Sequence, residues 1–141
     1  MLLKQFSHQV AIYVPTMRDN KAIPPDVREA WKEKAVHALI DLCNGCTEYK
    51  CHGSYLDRHG EIQRETVTKI ESYYGPAERE SDIRAGLVSL AESMARALGQ
   101  EAVAVEFNGV LEFWNAQREP TAVPVGVAEG ETRGAFDSWD S

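Results

Sequence analysis

All three cysteines and two of the four histidines of this chain fall in one stretch: Cys43, Cys46, Cys51, His52 and His59. Thiolate and imidazole are the ordinary ligands of zinc, which makes Cys46, Cys51 and His52, with Cys43 just before them, a candidate metal set. The spacing is poor for it. Structural zinc sites use two ligand pairs held apart by a folded segment, whereas these four residues fall within ten positions. Thiols acting as small hydrophobes are the stronger reading, and no metal or other cofactor is expected.

Two further sets share the region. His52 and Glu65 could act as a general acid–base pair, a histidine poised near neutrality beside a carboxylate. No activated nucleophile or oxyanion-type glycine loop accompanies them, and Glu65 has a competing use as a cross-strand partner of Lys50. Arg58 and Arg64 flank one turn, with His52 and Tyr55 close by and Tyr49, Tyr73 and Tyr74 not far off. Guanidinium on phosphate and a phenol ring against a base would cradle a small anionic or nucleotide-like ligand. An ordinary sheet surface or subunit contact is the alternative.

The elements that position these residues follow from local pattern. Val10, Ile12 and Val14 alternate with Gln9, Ala11 and Tyr13, which predicts a strand from His8 to Val14 closed by Pro15. Thr16 to Pro25 lacks a period and reads as a loop. Asp26 with Glu29 resembles a capping box for a helix running to Cys43, with Val27, Trp31, Ala35, Leu39 and Leu42 on its apolar stripe and Asn44-Gly45 ending it. Thr47 to Leu56 predicts a strand with a bulge or bend at Gly53. Asp57-Arg58-His59-Gly60 is then a hairpin turn, and Glu61 to Tyr74 the returning arm, although Ile62, Thr66, Val67 and Ile70 also fit a helical spacing.

Gly75-Pro76 breaks the chain before a second helix from Glu78 to Leu98, striped by Ile83, Leu87, Leu90, Met94 and Leu98. Gly86 lies inside it, where a close neighbour is expected. Asn108-Gly109 between Ala102–Phe107 and Val110–Trp114 predicts a tight hairpin that pairs Phe107 with Val110 and Val103 with Trp114. The order strand, helix, hairpin, helix, hairpin implies an α+β, ferredoxin-like two-layer sandwich, both helices on one face of an antiparallel sheet.

Composition bounds the function. The chain has 141 residues, 43% of them hydrophobic, a formal charge of -7 and a pI near 5.1. A single domain over residues 1–114 is expected, followed by an acidic Pro/Gly-rich tail over 115–141. In the tail Phe136 and Trp139 stand among acids, a candidate hook at 136–140 for a protein partner. The acidic balance excludes a duplex nucleic-acid binder. No stretch is long and apolar enough for a signal peptide or membrane span, so a cytoplasmic protein with reduced thiols is expected. The last hairpin is apolar on both faces while two helices cover one, which predicts a homodimer or higher oligomer.

Gly45-x-Thr47, then Gly53-Ser54-Tyr55-x-Asp57-x-x-Gly60-x-Ile62-x-x-Glu65-x-Val67, Leu98-Gly99-Gln100-Glu101-Ala102-Val103 and Phe107-Asn108-Gly109 resemble a group of small proteins from phages, plasmids and bacterial chromosomes. The likeness spans roughly residues 8–114. It implies a phage or mobile-element accessory protein, of a kind that counters host defence. The residues together favour a non-enzymatic binder of a small anionic or nucleotide-like ligand through Tyr55, Arg58, Arg64 and His52. A hydrolase-type enzyme using His52 and Glu65, or a tail-driven interaction module, is the alternative.

Overall fold

The computed structural model describes residues 1–75 and 77–116. The tail, including the segment at 136–140, lies outside the described residues apart from Asn115 and Ala116. Seven strands and two helices follow one another as β1 (His8–Pro15), β2 (Met17–Arg18), β3 (Lys21–Ala22), α1 (Pro25–Cys43), β4 (Thr47–Leu56), β5 (Ile62–Tyr74), a short 3-10 turn (Ala77–Arg79), α2 (Glu80–Ala97), β6 (Val103–Phe107) and β7 (Val110–Trp114).

Five strands form one antiparallel sheet in the order β4-β5-β1-β6-β7. This is the ferredoxin-like arrangement with one strand, β7, added beyond β6. Alternation sends Val10, Ile12 and Val14 of β1, Ile70 of β5 and Val105 of β6 into the layer under the helices, all without solvent exposure. Leu39 of α1 and Ile83, Leu87 and Met94 of α2 meet them there. Each such side chain contributes about 1.5–3 kcal/mol by leaving water, so the stripe positions, not helix propensity, hold the second layer down.

The turns explain where the elements stop. Asn44 takes a left-handed conformation (φ 68°) and its N–H reaches the Ile40 carbonyl, which ends α1. Asn108 and Gly109 both have positive φ, as the two-residue turn requires, and the pairing of Phe107 with Val110 and Val103 with Trp114 follows. At Gly86 a β-carbon would stand 3.1 Å from Leu42 Cδ1, so the glycine lets α1 and α2 approach.

Three local expectations are corrected. The start of α1 is Pro24–Pro25, with no side-chain cap; Pro24 takes the N-cap position, so Asp26 already lies inside the first turn and forms no capping box with Glu29. The connector after β1 is not a plain loop, because Asp19 and Asn20 (φ 49° and 63°) turn β2 back on β3 in two-residue strands too short to show a period. Gly53 makes no bulge, since β4 and β5 pair without interruption from Thr47–Glu71 to Leu56–Ile62.

Candidate functional site

The sheet face turned away from the helices is built in rows fixed by register. Thr47, Glu71, Ala11, Glu106 and Leu111 form one row, Tyr49, Lys69 and Tyr13 the next, then Cys51, Val67 and Pro15. Beyond Pro15 there is no further β1. β4 and β5 run on as a two-stranded arm, adding Gly53 opposite Glu65 and Tyr55 opposite Gln63 to the same face.

The arm's turn is tied by Asp57 and reaches back toward the body. Asp57 Oδ1 accepts the backbone N–H groups of His59 (2.8 Å) and Glu61 (3.0 Å), and Oδ2 accepts from Gln63 Nε2 (2.8 Å). The bond from Gln63, then those from the backbone, hold the Asp57 carboxyl below its ordinary value. Arg58 on this turn stands 3.9 Å from Glu101 in the loop between α2 and β6. Between arm, loop and sheet lies a concavity of about 780 Å³, bordered by Tyr13, Pro15, Tyr55, Glu65, Val67 and Glu106 among others.

Two polar centres adjoin it, with an apolar step between. At the sheet centre, Lys69 Nζ lies 3.2 Å from Glu71 and 3.6 Å from Glu106. Gln9 Nε2 donates to both carboxylates (3.2 and 3.1 Å), the Tyr13 hydroxyl donates to Glu106, and Tyr49 and Tyr73 reach Glu71 at 3.4 Å. Burial, with the bond to Glu106, pushes the Tyr13 phenol up to about 12. Burial opposes the charge on Lys69, but the bond to Glu71 and the surrounding anions outweigh it and raise its value. Glu71 is lowered because the Lys69 and Gln9 bonds overcome the same burial.

Glu65 marks the second centre. It is half-buried, has no hydrogen bond or ion pair among the described residues, and burial raises its carboxyl. Gly53 directly opposite has no side chain to cover it. Tyr55, half-buried in the next row, is raised by burial first and by Glu65 second. At about 3.3 Å per residue, the four-residue separation of Glu65 from Lys69 places the two centres roughly 13 Å apart along β5. Val67, Pro15 and Cys51 fill the interval.

The sequence-derived candidates divide across this geometry. Tyr55 and Glu65 stand in the concavity and Arg58 at its mouth, beside Glu101. His52 and Arg64 also border it, although alternation turns their side chains to the arm's other face, opposite Thr66 and Ser54. His52 therefore makes no bond to Glu65, and Lys50 faces Thr68, not Glu65. Cys51 and His52, adjacent on one strand, point to opposite sides, so they cannot close on one ion. Among the described residues no three His, Cys, Asp or Glu side chains gather as a metal site. Cys43 and Cys46 are half-buried thiols raised mainly by burial.

Sequence reading missed Gln9, Tyr13, Lys69, Glu71 and Glu106. The available signal was charge at strand positions that alternate with core residues on the face the helices leave bare. Among the described residues no helix is long and apolar enough to cross a membrane.

No protein-family model and no curated protein matches the sequence. Two solved structures share its fold. A phage SAM lyase in complex with S-methyl-5'-thioadenosine superposes with a TM-score of 0.58 at 17% identity, over 86% of this chain and 100% of that one. A phage SAM lyase in the apo state gives 0.54 at 15% identity, over 84% and 99%. At these identities the likeness is one of fold.

Proposed function

We propose that the chain binds S-adenosylmethionine and cleaves it to S-methyl-5'-thioadenosine. One observation carries the reading: a concave sheet face with two polar centres separated by the apolar step of Val67, Pro15 and Cys51, set on the fold of the phage lyases. An adenosyl sulfonium has matching parts, with a polar base at one end, a polar amino acid at the other and, between them, a sulfonium that becomes a neutral thioether on cleavage. The mixed charge of the lining, Glu65 and Glu106 against Arg18 and Arg58, suits a ligand that is itself both cation and anion better than a simple phosphate.

The cleavage balances without water or oxidant. The bond between sulfonium sulfur and the methionyl γ-carbon breaks, and its electron pair goes to sulfur, giving the neutral thioether. The substrate's own carboxylate oxygen bonds the γ-carbon and closes a five-membered lactone. One positive and one negative charge vanish together, which a poorly solvated surface favours over water. The chain's part is to hold the two reacting groups together over Val67 and Pro15 and to keep water away.

This departs from the sequence expectation of binding without turnover, and one assay separates the two. Purified protein incubated with S-adenosylmethionine should release S-methyl-5'-thioadenosine over many turnovers, followed by liquid chromatography and mass spectrometry. Saturable binding with intact ligand would leave a sequestering protein. Neither binding nor product would defeat the reading. Either outcome would withhold a methyl donor from host methylation, the role we infer for it as a phage or mobile-element accessory protein. Self-association is part of the same proposal, supported by Val110, Leu111 and Ile62, which stay 59%, 49% and 62% exposed in the protomer.

A further inference from the structure

The proposed ligand has two ends, and the unequal chemistry of the two polar centres sets its direction along the concavity. Glu106 accepts from Tyr13 and Gln9 and faces Lys69 Nζ at 3.6 Å. Of this network, Glu106 and Tyr13 border the concavity, while Gln9, Lys69 and Glu71 do not. The side chain that meets a ligand is thus aimed by others that do not. A carboxylate has about four acceptor positions, so three donors leave Glu106 room for about one more. Among the described residues two carboxylates face one ammonium, which leaves the centre one cation short. Glu65 differs on each point, having no donor among the described residues and bare space opposite at Gly53.

Resting on the reading above, we infer that Glu106 takes the α-ammonium group of an adenosyl amino acid, and that the adenine lies at the Glu65 and Tyr55 end. Glu106 is then a specificity-determining residue, with Gln9 and Lys69 as its positioning residues. The sulfonium falls between the two centres, over Val67 and Pro15, where the loss of charge on cleavage is least opposed. Burial raises the Glu65 carboxyl, which suits the uncharged edge of a base.

Calorimetric titration of the full chain with two probes tests the direction. S-adenosylhomocysteine carries the ammonium; S-methyl-5'-thioadenosine shares the adenosine thioether and lacks it. Glu106→Gln should weaken the first about tenfold or more and leave the second within about twofold, the scale of one lost charged hydrogen bond. Tyr13→Phe should shift the same ratio in the same direction by a smaller factor, and serves if melting curves show Glu106→Gln to be unfolded. Glu65→Gln should weaken both probes alike. Equal loss of both probes in Glu106→Gln, no loss, or selective loss of S-adenosylhomocysteine in Glu65→Gln overturns the assignment. A wild-type chain that binds neither probe defeats the functional reading and this inference with it, whereas the variant pattern bears on direction alone.

Discussion

Lys69→Met removes the cation that, among the described residues, stands between Glu71 and Glu106, and keeps most of the side chain's length. The three side chains are 21%, 12% and 18% exposed, closer to a buried cluster than to a surface pair. Breaking a buried pair costs about 3–5 kcal/mol and an exposed one about 0.2–1, so about 2–3 kcal/mol is expected here. For a domain of this size that lowers the melting temperature by roughly 10 °C.

The pH dependence gives the cause. In the wild type the folded value of Glu71 is depressed, so its stabilisation is present above the ordinary carboxylate range and fades as pH falls through the folded value. In Lys69→Met the carboxylates lose their counter-charge and their folded values rise. The penalty is then full at neutral pH and relieved as protons neutralise the pair. Melting curves followed by circular dichroism at about pH 7 and about pH 4.5 should show a wide gap between wild type and variant that narrows in acid. An equal gap at both would mean that lost packing is the cause. A gap below about 0.5 kcal/mol would mean that the cluster is solvated.

Asn108→Ala should cost about 1–2 kcal/mol in chemical denaturation, because Oδ1 accepts the Gln9 N–H at 2.8 Å and alanine resists the φ of 54°. Asn108→Gly should recover the conformational part of that loss. Arg64→Ala should leave affinity for S-methyl-5'-thioadenosine within about twofold, since its side chain lies on the far face of the arm; a larger loss by titration would place the ligand elsewhere. If the proposed self-association uses β7, the wild type should sediment as more than one protomer at micromolar concentration and Leu111→Glu as a smaller species; a monomeric wild type, or an unchanged profile in the variant, would remove β7 from any subunit contact.

Much of the fold was legible because its decisive signals are local. Asn108-Gly109 sets its own turn, and the turn sets every pair from Phe107–Val110 to Val103–Trp114. The stripes Leu39–Leu42 and Ile83–Leu87–Met94 announce which helix faces are buried, and so the layer they cover. The site was less legible for the opposite reason. Arg58 and Arg64 are near one another along the chain, but proximity at a turn is not convergence. Strand alternation sends Arg64 away, and Arg58 meets Glu101, an acid from a distant loop. Tyr13, Lys69 and Glu106 come from three strands that become neighbours only through the order β5-β1-β6, which no local pattern states. A glycine inside a strand pattern predicts a disturbance at Gly53, whereas in the sheet it pairs regularly opposite Glu65 and leaves the space over it open.

The concavity itself follows from unequal strand length. β1 stops at Pro15, which cannot continue the ladder, while β4 and β5, ten and thirteen residues long, go on past it to the pair Leu56–Ile62. A ribbon of two strands is marginal alone, so the outer arm depends on what its turn provides: three bonds to Asp57 and the reach of Arg58 to Glu101. The same shortfall that weakens the arm creates the hollow, because the missing third strand is the space between Glu65 and the loop at Glu101. The sheet centre shows the converse. Five strands leave Lys69, Glu71 and Glu106 no freedom to separate, so the charged groups must satisfy one another in place. A firm polar floor and a weakly held wall are thus two results of one sheet, and a ligand spanning both would supply the arm with the contacts its own sequence omits.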